Sequence, residues 1–172
     1  FEKFLQANHV PASSFGKLIT IPNAVHGFGR VEPHPEPGIL FVGRDSSEKR
    51  LDLFLRIADE VQRSVPDLFR FTVMGAAPRN GHHHVQFLGT ITDPAARDRV
   101  YAAHDILVLT SAREGFPMVI MEAMAQGLAI ISTPVGDVPG RVDARFGIVT
   151  TSTAPDAVFA EMTQAIEQLG RK

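Results

Sequence analysis

Four side chains in this sequence have the types and spacing to do chemistry together. They are two carboxylates, Glu114 and Glu122, with seven residues between them, and two cations, Arg44 and Lys49. Glu122 is the one charge in Pro117–Gln126, PMVIMEAMAQ, where Met118, Val119, Ile120, Met121, Ala123, Met124 and Ala125 surround it. As a helix this segment is apolar almost all round, which predicts burial. A buried carboxylate must meet a cation, hydrogen-bond donors or a ligand hydroxyl. A core ion pair with an Arg and a ligand contact both satisfy that requirement, and both stay open here. Glu114-Gly115-Phe116 leads directly into this helix. A helix N-terminus presents unpaired N–H groups and a positive dipole end, which together suit an anion. Gly115 lets backbone approach a ligand closely. Glu114 at that mouth either complements the dipole or brackets a ligand together with Glu122.

The cations lie in Gly43-Arg44-Asp45-Ser46-Ser47-Glu48-Lys49. This too reads as a loop from a strand end into a helix, where Arg44 and Lys49 can converge on a phosphate. Other constellations carry less. Gly27-Phe28-Gly29 lacks the third glycine of the dinucleotide fingerprint, and there is no P-loop motif. His82-His83-His84 cannot all point at one ion, and a solvated loop is the expected reading. His26 and His104 are isolated, and His104, ahead of an apolar run, is expected to pack or pair locally. Ser111 and Ser132 have no nucleophile-elbow context.

These residues need a scaffold, and the pattern of apolar runs supplies one. Predicted strands are Leu18–Ile21, Ile39–Val42, Phe71–Met74, Val85–Leu88, Ile106–Leu109, Ala129–Ser132 and Gly147–Thr150. Most are short continuous apolar runs, as in parallel strands buried on both faces. Helices are predicted over Glu48–Val65, from Pro94 after an Asp93 N-cap to about Ala103, over Pro117–Gln126 with Gly127 as the stop, and over Pro155–Leu169. The first carries Leu51, Phe54, Leu55, Ala58 and Val61 at helical spacing and ends before Pro66. Strands alternating with helices imply an α/β, Rossmann-like doubly wound parallel sheet, which binds ligands at the carboxyl ends of its strands. Glu32–Pro37, EPHPEP, reads as a linker between an arm, 1–31, and a core domain, 38–172. FEKFLQ at the start reads as a helix entered part-way, so a piece of a longer protein is expected.

Composition bounds the rest. The 172 residues suit one domain, and 44% hydrophobic with 21% charged residues can bury a normal core. Seventeen Lys and Arg against nineteen Asp and Glu, a net charge of −2, argue against a broad nucleic-acid or anionic-membrane grip. The absence of Cys excludes a disulfide scaffold, a thiolate metal site and a cysteine nucleophile. No apolar run approaches the ~18 residues of a membrane span and no signal peptide is visible, so the cytoplasm is the expected location.

The block from Glu114 to Glu122 resembles the Glu, seven residues, Glu motif of retaining GT-B glycosyltransferases. Its continuation EAMAQGLAIISTPVGD, with FVGRDSSEKR, TIPNAVH, VMGAAP, VQFLGTI and AAHDILVLTSAREGFP, is similar in order to blocks of glycosyltransferase family four, the group 1 type. The resemblance implies the C-terminal, donor-binding half of such an enzyme, with a nucleotide-diphosphate sugar as substrate, UDP favoured, and neither cofactor nor metal. Arg44 and Lys49, with Gly43 beside them, would hold the diphosphate. Glu122 would bond the ribose hydroxyls, and Glu114 the transferred sugar. Backbone at Gly115, Phe116, Pro117, Met118 and Val119 would cap the distal phosphate and sugar, and Thr90 and Ile91 would line the base pocket. The family retains anomeric configuration, which implies a front-face reaction with Glu114 orienting the sugar.

Departures from the pattern are Ala24 and His26 for the usual Gly and Asp, Arg50 for Gly, Asp137 for Gly and Gly140 for Glu. The expected partners are the sugar nucleotide and an acceptor-binding domain absent from this sequence, through which the parent could sit peripherally on a membrane's inner face. No nucleic-acid partner is expected. Alternatives are half of a sugar-nucleotide epimerase, or a non-catalytic nucleotide-binding module.

Overall fold

In the computed structural model the described residues are 25, 34–115 and 117–170. The predicted strand Leu18–Ile21, the opening helix, His26 and Gly27–Gly29 lie outside them. Six strands form: β1 (Gly38–Val42), β2 (Arg70–Met74), β3 (Val85–Gly89), β4 (Ile106–Leu109), β5 (Ala129–Ser132) and β6 (Gly147–Val149). Each matches an apolar run seen in the sequence to within a residue or so. Their order is β3-β2-β1-β4-β5-β6, and every neighbouring pair is parallel. The expected doubly wound α/β sheet is therefore the one observed.

The continuous apolar runs follow from burial on both faces. Ile39, Phe41, Phe71, Val73, Val108 and Ile131 point to one side, against α1 (Leu51–Ser64) and α5 (Pro155–Leu169). Leu40, Leu107, Leu109 and Ile130 point to the other, against α2 (Pro94–Ala102), α3 (Met118–Ala125) and the short α4 (Val138–Arg141). Phe41, Phe54 and Phe71 stack in series in the first layer, with centroids 5.1 and 6.4 Å apart.

Helix ends follow local chemistry. Asp93 caps α2 as predicted, its carboxylate accepting from Ala96 N at 2.9 Å. The start of α1 differs: helix was expected from Glu48, but it begins at Leu51. Arg50 has φ 53°, a left-handed conformation that interrupts a helical run. It is held there by a guanidinium hydrogen bond to Thr153 O at 2.6 Å, and residues 46–50 form a turn closed on Ser46 O. The short α4 was not expected, because its VPGR composition carries no helical signal.

Candidate functional site

The strand order reverses between β1 and β4, and the loops leaving the carboxyl ends of these two strands stand at the switch point, where sheets of this kind bind ligands. Backbone ties hold those loops side by side. Ala112 N donates to Glu48 O at 2.7 Å, and Thr110 Oγ1 donates to Lys49 O at 2.9 Å. Thr133, at the end of β5, donates to Ser111 O at 2.7 Å and fixes the β4 loop from its other side. Across this frame Lys49 Nζ donates to Glu114 Oε1 at 2.5 Å, with side chains 25% and 16% exposed. Ser111 Oγ donates to the same oxygen at 2.9 Å. Glu114 Oε2 has no partner among the described residues.

Glycines permit this packing. A Cβ on Gly43 would sit 3.3 Å from the Lys49 stem. Gly136, at φ 54°, lets the β5–α4 loop touch the β4–α3 loop. A Cβ there would lie 1.6 Å from Gly115 O, which instead accepts from Asp137 N at 2.9 Å.

Glu122 is placed by α3, and the expectation of a helix buried all round needs correction. Ile120, Ala123 and Ala125 are buried, but Met118 is 38% exposed and Met121, Glu122 and Met124 are half-buried. The helix lies over the sheet at its outer face and leaves one side open. Glu122 Oε2 accepts from the Tyr101 hydroxyl at 2.7 Å. Its other oxygen is 3.7 Å from Arg97 Nη2. Glu122 thus meets a hydroxyl donor first and a cation second, and it is not sealed in a core ion pair. Among the described residues no side chain caps the N-terminus of α3.

Of the residues singled out in the sequence, Gly43, Lys49, Glu114, Gly115 and buried Pro117 come together at the switch point. Met118 and Val119 begin the first turn of α3. Phe116 lies outside the described residues. Arg44 is exposed and has no partner among the described residues. Thr90, exposed, and Ile91, half-buried, follow β3 at the edge of the sheet, two strands from β1.

The histidine loop is not simply solvated. His82 Nδ1 and His84 Nε2 lie 2.9 and 3.3 Å from Asp59 Oδ1, while His83 is exposed. The loop is pinned to α1, 23 residues upstream of His82. His104 pairs locally as expected, with Nδ1 2.6 Å from Val100 O, and burial pushes its pKa below 6.5. Among the described residues no three His, Asp or Glu side chains are grouped to hold a metal ion, and no helix is long and apolar enough to cross a membrane.

Tyr101 and Arg97 lie in no motif and were missed by sequence reasoning, while Ser111, inside the AAHDILVLTSAREGFP block and set aside as a nucleophile, was missed as a donor to Glu114. Tyr101 carried a usable signal: a lone tyrosine on a helix that must pack is a buried hydroxyl in search of an acceptor.

A model of the family described as glycosyl transferases group 1 matches residues 36–169. The chain belongs to this family. Among relatives of this group 1 glycosyl transferase chain, a D-inositol 3-phosphate glycosyltransferase from Segniliparus rotundus is 30% identical over 146 residues, 76% of this chain and 32% of that protein. One subunit of the Homo sapiens phosphatidylinositol N-acetylglucosaminyltransferase is 32% identical over 117 residues, 62% of this chain and 24% of the relative. The chain therefore spans about a quarter to a third of these relatives' length. In fold it is similar to the pneumococcal O-GlcNAc transferase GtfA, solved with UDP and GlcNAc, at TM-score 0.75 and 20% identity over 96% of this chain and 37% of that one. It is also similar to the C-terminal domain of a glycosyl transferase group 1 family protein from Francisella tularensis, at TM-score 0.60 and 27% identity, covering 80% of each chain. The architecture is that of a GT-B C-terminal domain, as the sequence resemblance implied.

Proposed function

We propose that this group 1 glycosyl transferase domain binds the donor of an enzyme that moves a sugar from a nucleotide-diphosphate sugar to an acceptor, with retention of configuration. The observation that carries the reading is the Lys49–Glu114 pair, which sets a cation and a carboxylate side by side at the switch point. A sugar nucleotide offers anionic phosphate and neutral hydroxyls in adjacent positions, and this pair answers both. Lys49, with Arg44 from the same loop and the uncapped start of α3, takes the diphosphate. Glu114 takes sugar hydroxyls through the oxygen that the protein leaves open. Glu122 takes the ribose, and Thr90 and Ile91 border the base.

The chemistry follows from charge. The anomeric carbon–oxygen bond to the phosphate breaks, and negative charge grows on the leaving diphosphate. Lys49, Arg44 and the helix N-terminus stabilise that charge. The acceptor oxygen bonds to the anomeric carbon on the same face and gives its proton to the departing phosphate oxygen. Glu114 orients the sugar and forms no bond to it. UDP is favoured because it is the common donor nucleotide of the family the sequence resembles.

Calorimetric titration with UDP, GDP, ADP and their glucose and N-acetylglucosamine derivatives tests the reading. One nucleotide should bind, and one of its sugar derivatives should bind more tightly. Absence of binding across the whole set overturns it.

A further inference from the structure

Tyr101 is the chain's single tyrosine, and its side chain is 0% exposed in the layer between the sheet and α3. A buried phenol needs a partner for its hydroxyl. Here the hydroxyl emerges at the edge of the core and donates to Glu122 Oε2 at 2.7 Å. Burial first, and the Glu122 bond second, raise its pKa far above the ordinary value, so the group remains a donor at neutral pH. Glu122 Oε1 is held differently. Its cationic neighbour, Arg97 Nη2, stands at 3.7 Å, beyond hydrogen-bond reach. Arg97 Nε is buried and has no hydrogen-bond partner among the described residues. Arg97 and Glu122 border a cavity of about 300 Å³, together with Pro94, Asp98, Met118 and Gln126. One carboxylate oxygen is therefore fixed by the protein. The other has no hydrogen-bond partner among the described residues, with a cation waiting on one side.

We infer that Tyr101 is a positioning residue, its hydroxyl locking Glu122 in the rotamer that presents Oε1 to the ribose hydroxyls of a bound nucleotide. The inference rests on the ribose role proposed above for Glu122. A free glutamate on a helix surface samples several rotamers, and a ligand that needs one of them must offset that loss. Tyr101 removes the choice before the ligand arrives, which strengthens binding without adding a contact. Arg97 makes the lock necessary. Without the hydroxyl, the carboxylate swings to close the gap to the guanidinium and turns from the ribose.

The test compares UDP, GDP and ADP, each paired with its 2′,3′-dideoxy form, by calorimetry on the full chain. The ratio of the two dissociation constants reads the ribose contact. For the nucleotide that binds, wild type should show a ratio of about ten or more, as expected for hydrogen bonds to a charged group. Tyr101→Phe should bring the ratio close to one and leave the dideoxy form's affinity unchanged. In a Glu122→Ala background the same substitution should have no further effect on the ratio, because Tyr101 acts only through Glu122. A merely structural role weakens both ligands alike and preserves the ratio.

The two failures are distinguishable. A wild-type ratio of one removes the ribose role of Glu122, and the inference with it. A wild type and a Tyr101→Phe chain that discriminate equally overturn the inference alone. A second measurement needs no substitution. Biosynthetic fluorotyrosine labels Tyr101 uniquely, and its fluorine resonance should move with the nucleotide and stay in place with the dideoxy form. A resonance indifferent to both overturns the lock.

Discussion

Glu114 and Glu122 face different parts of the proposed ligand, and each also has a different protein partner to lose. Glu114→Ala frees Lys49, which is a quarter exposed and can rehydrate, so the empty chain should lose little stability. Sugar-nucleotide affinity should fall about ten- to hundredfold, the equivalent of about 1.5–3 kcal/mol for a charged hydrogen bond, while the bare nucleotide, which brings no sugar hydroxyls to the carboxylate, is not weakened. Glu122→Ala should weaken both ligands, because both carry ribose. It also strands the buried Tyr101 hydroxyl, at a cost of about 1–3 kcal/mol that thermal melts will show. A third residue prediction concerns His104, which is 4% exposed and whose ring nitrogen pairs with Val100 O. Burial, reinforced by Arg70 and His34 and opposed by the Val100 bond and Asp105, sets its folded pKa below 6.5. As pH falls through about 6.5 the unfolded chain binds a proton that the folded chain does not, so stability drops on acidification. His104→Asn keeps a donor at the Nδ1 position and cannot titrate. Its melting temperature should fall less steeply than that of wild type between about pH 7 and pH 5.

The loops leaving β4 and β5 meet at Gly115 and Gly136, and that meeting sets the entrance to α3. Gly136→Ala must move one loop or the other and also carries a residue at φ 54°. It should cost about 1–3 kcal/mol or more and lower sugar-nucleotide affinity. Gly81→Ala is the control: φ is 90° but nothing lies within 4 Å of a Cβ there, and the next residue, His82, is tied to Asp59 of α1, so melting temperature should fall while affinity holds. The same contrast between local and distant causes explains what the sequence disclosed. β1, β4 and β5 were legible because burial on both faces leaves an unbroken apolar run. The Glu114–Glu122 spacing was legible because both carboxylates belong to one loop and one helix. The start of α1 was not, because Arg50 is left-handed where its guanidinium donates to Thr153 O, 103 residues away. Nor was the Lys49–Glu114 pair itself, which spans 65 residues and depends on β4 settling beside β1. The Asp59–His82 tie and the Tyr101–Glu122 bond likewise cross between elements, beyond the reach of periodicity.

At the scale of the molecule, the chain covers about a third of the length of the Segniliparus relative, and on the proposed function the described residues supply the donor wall of the site. A single wall holds a donor without orienting an acceptor against it. The chain alone should therefore bind its sugar nucleotide and transfer nothing to an added acceptor, as measured by product release in the pure protein. On the proposed assignment of Arg44, Lys49 and the α3 N-terminus to the diphosphate, EDTA should leave nucleotide affinity unchanged, and a large loss on chelation would count against that assignment. The contact between Lys49 and Glu114 has a further consequence, for selection among anions. Within the chain Glu114 already neutralises Lys49, so an anion arriving at that lysine competes with a charge already in place. Inorganic phosphate or pyrophosphate can win Lys49 only by leaving Glu114 without its counter-ion. A sugar nucleotide replaces both halves of the pair at once, giving phosphate to the lysine and hydroxyls to the carboxylate. On the proposed function, the ion pair favours a ligand carrying both chemistries over simple phosphates. Pyrophosphate should displace a bound sugar nucleotide poorly from wild type. Glu114→Ala, with that carboxylate gone, should bind pyrophosphate more tightly than wild type does.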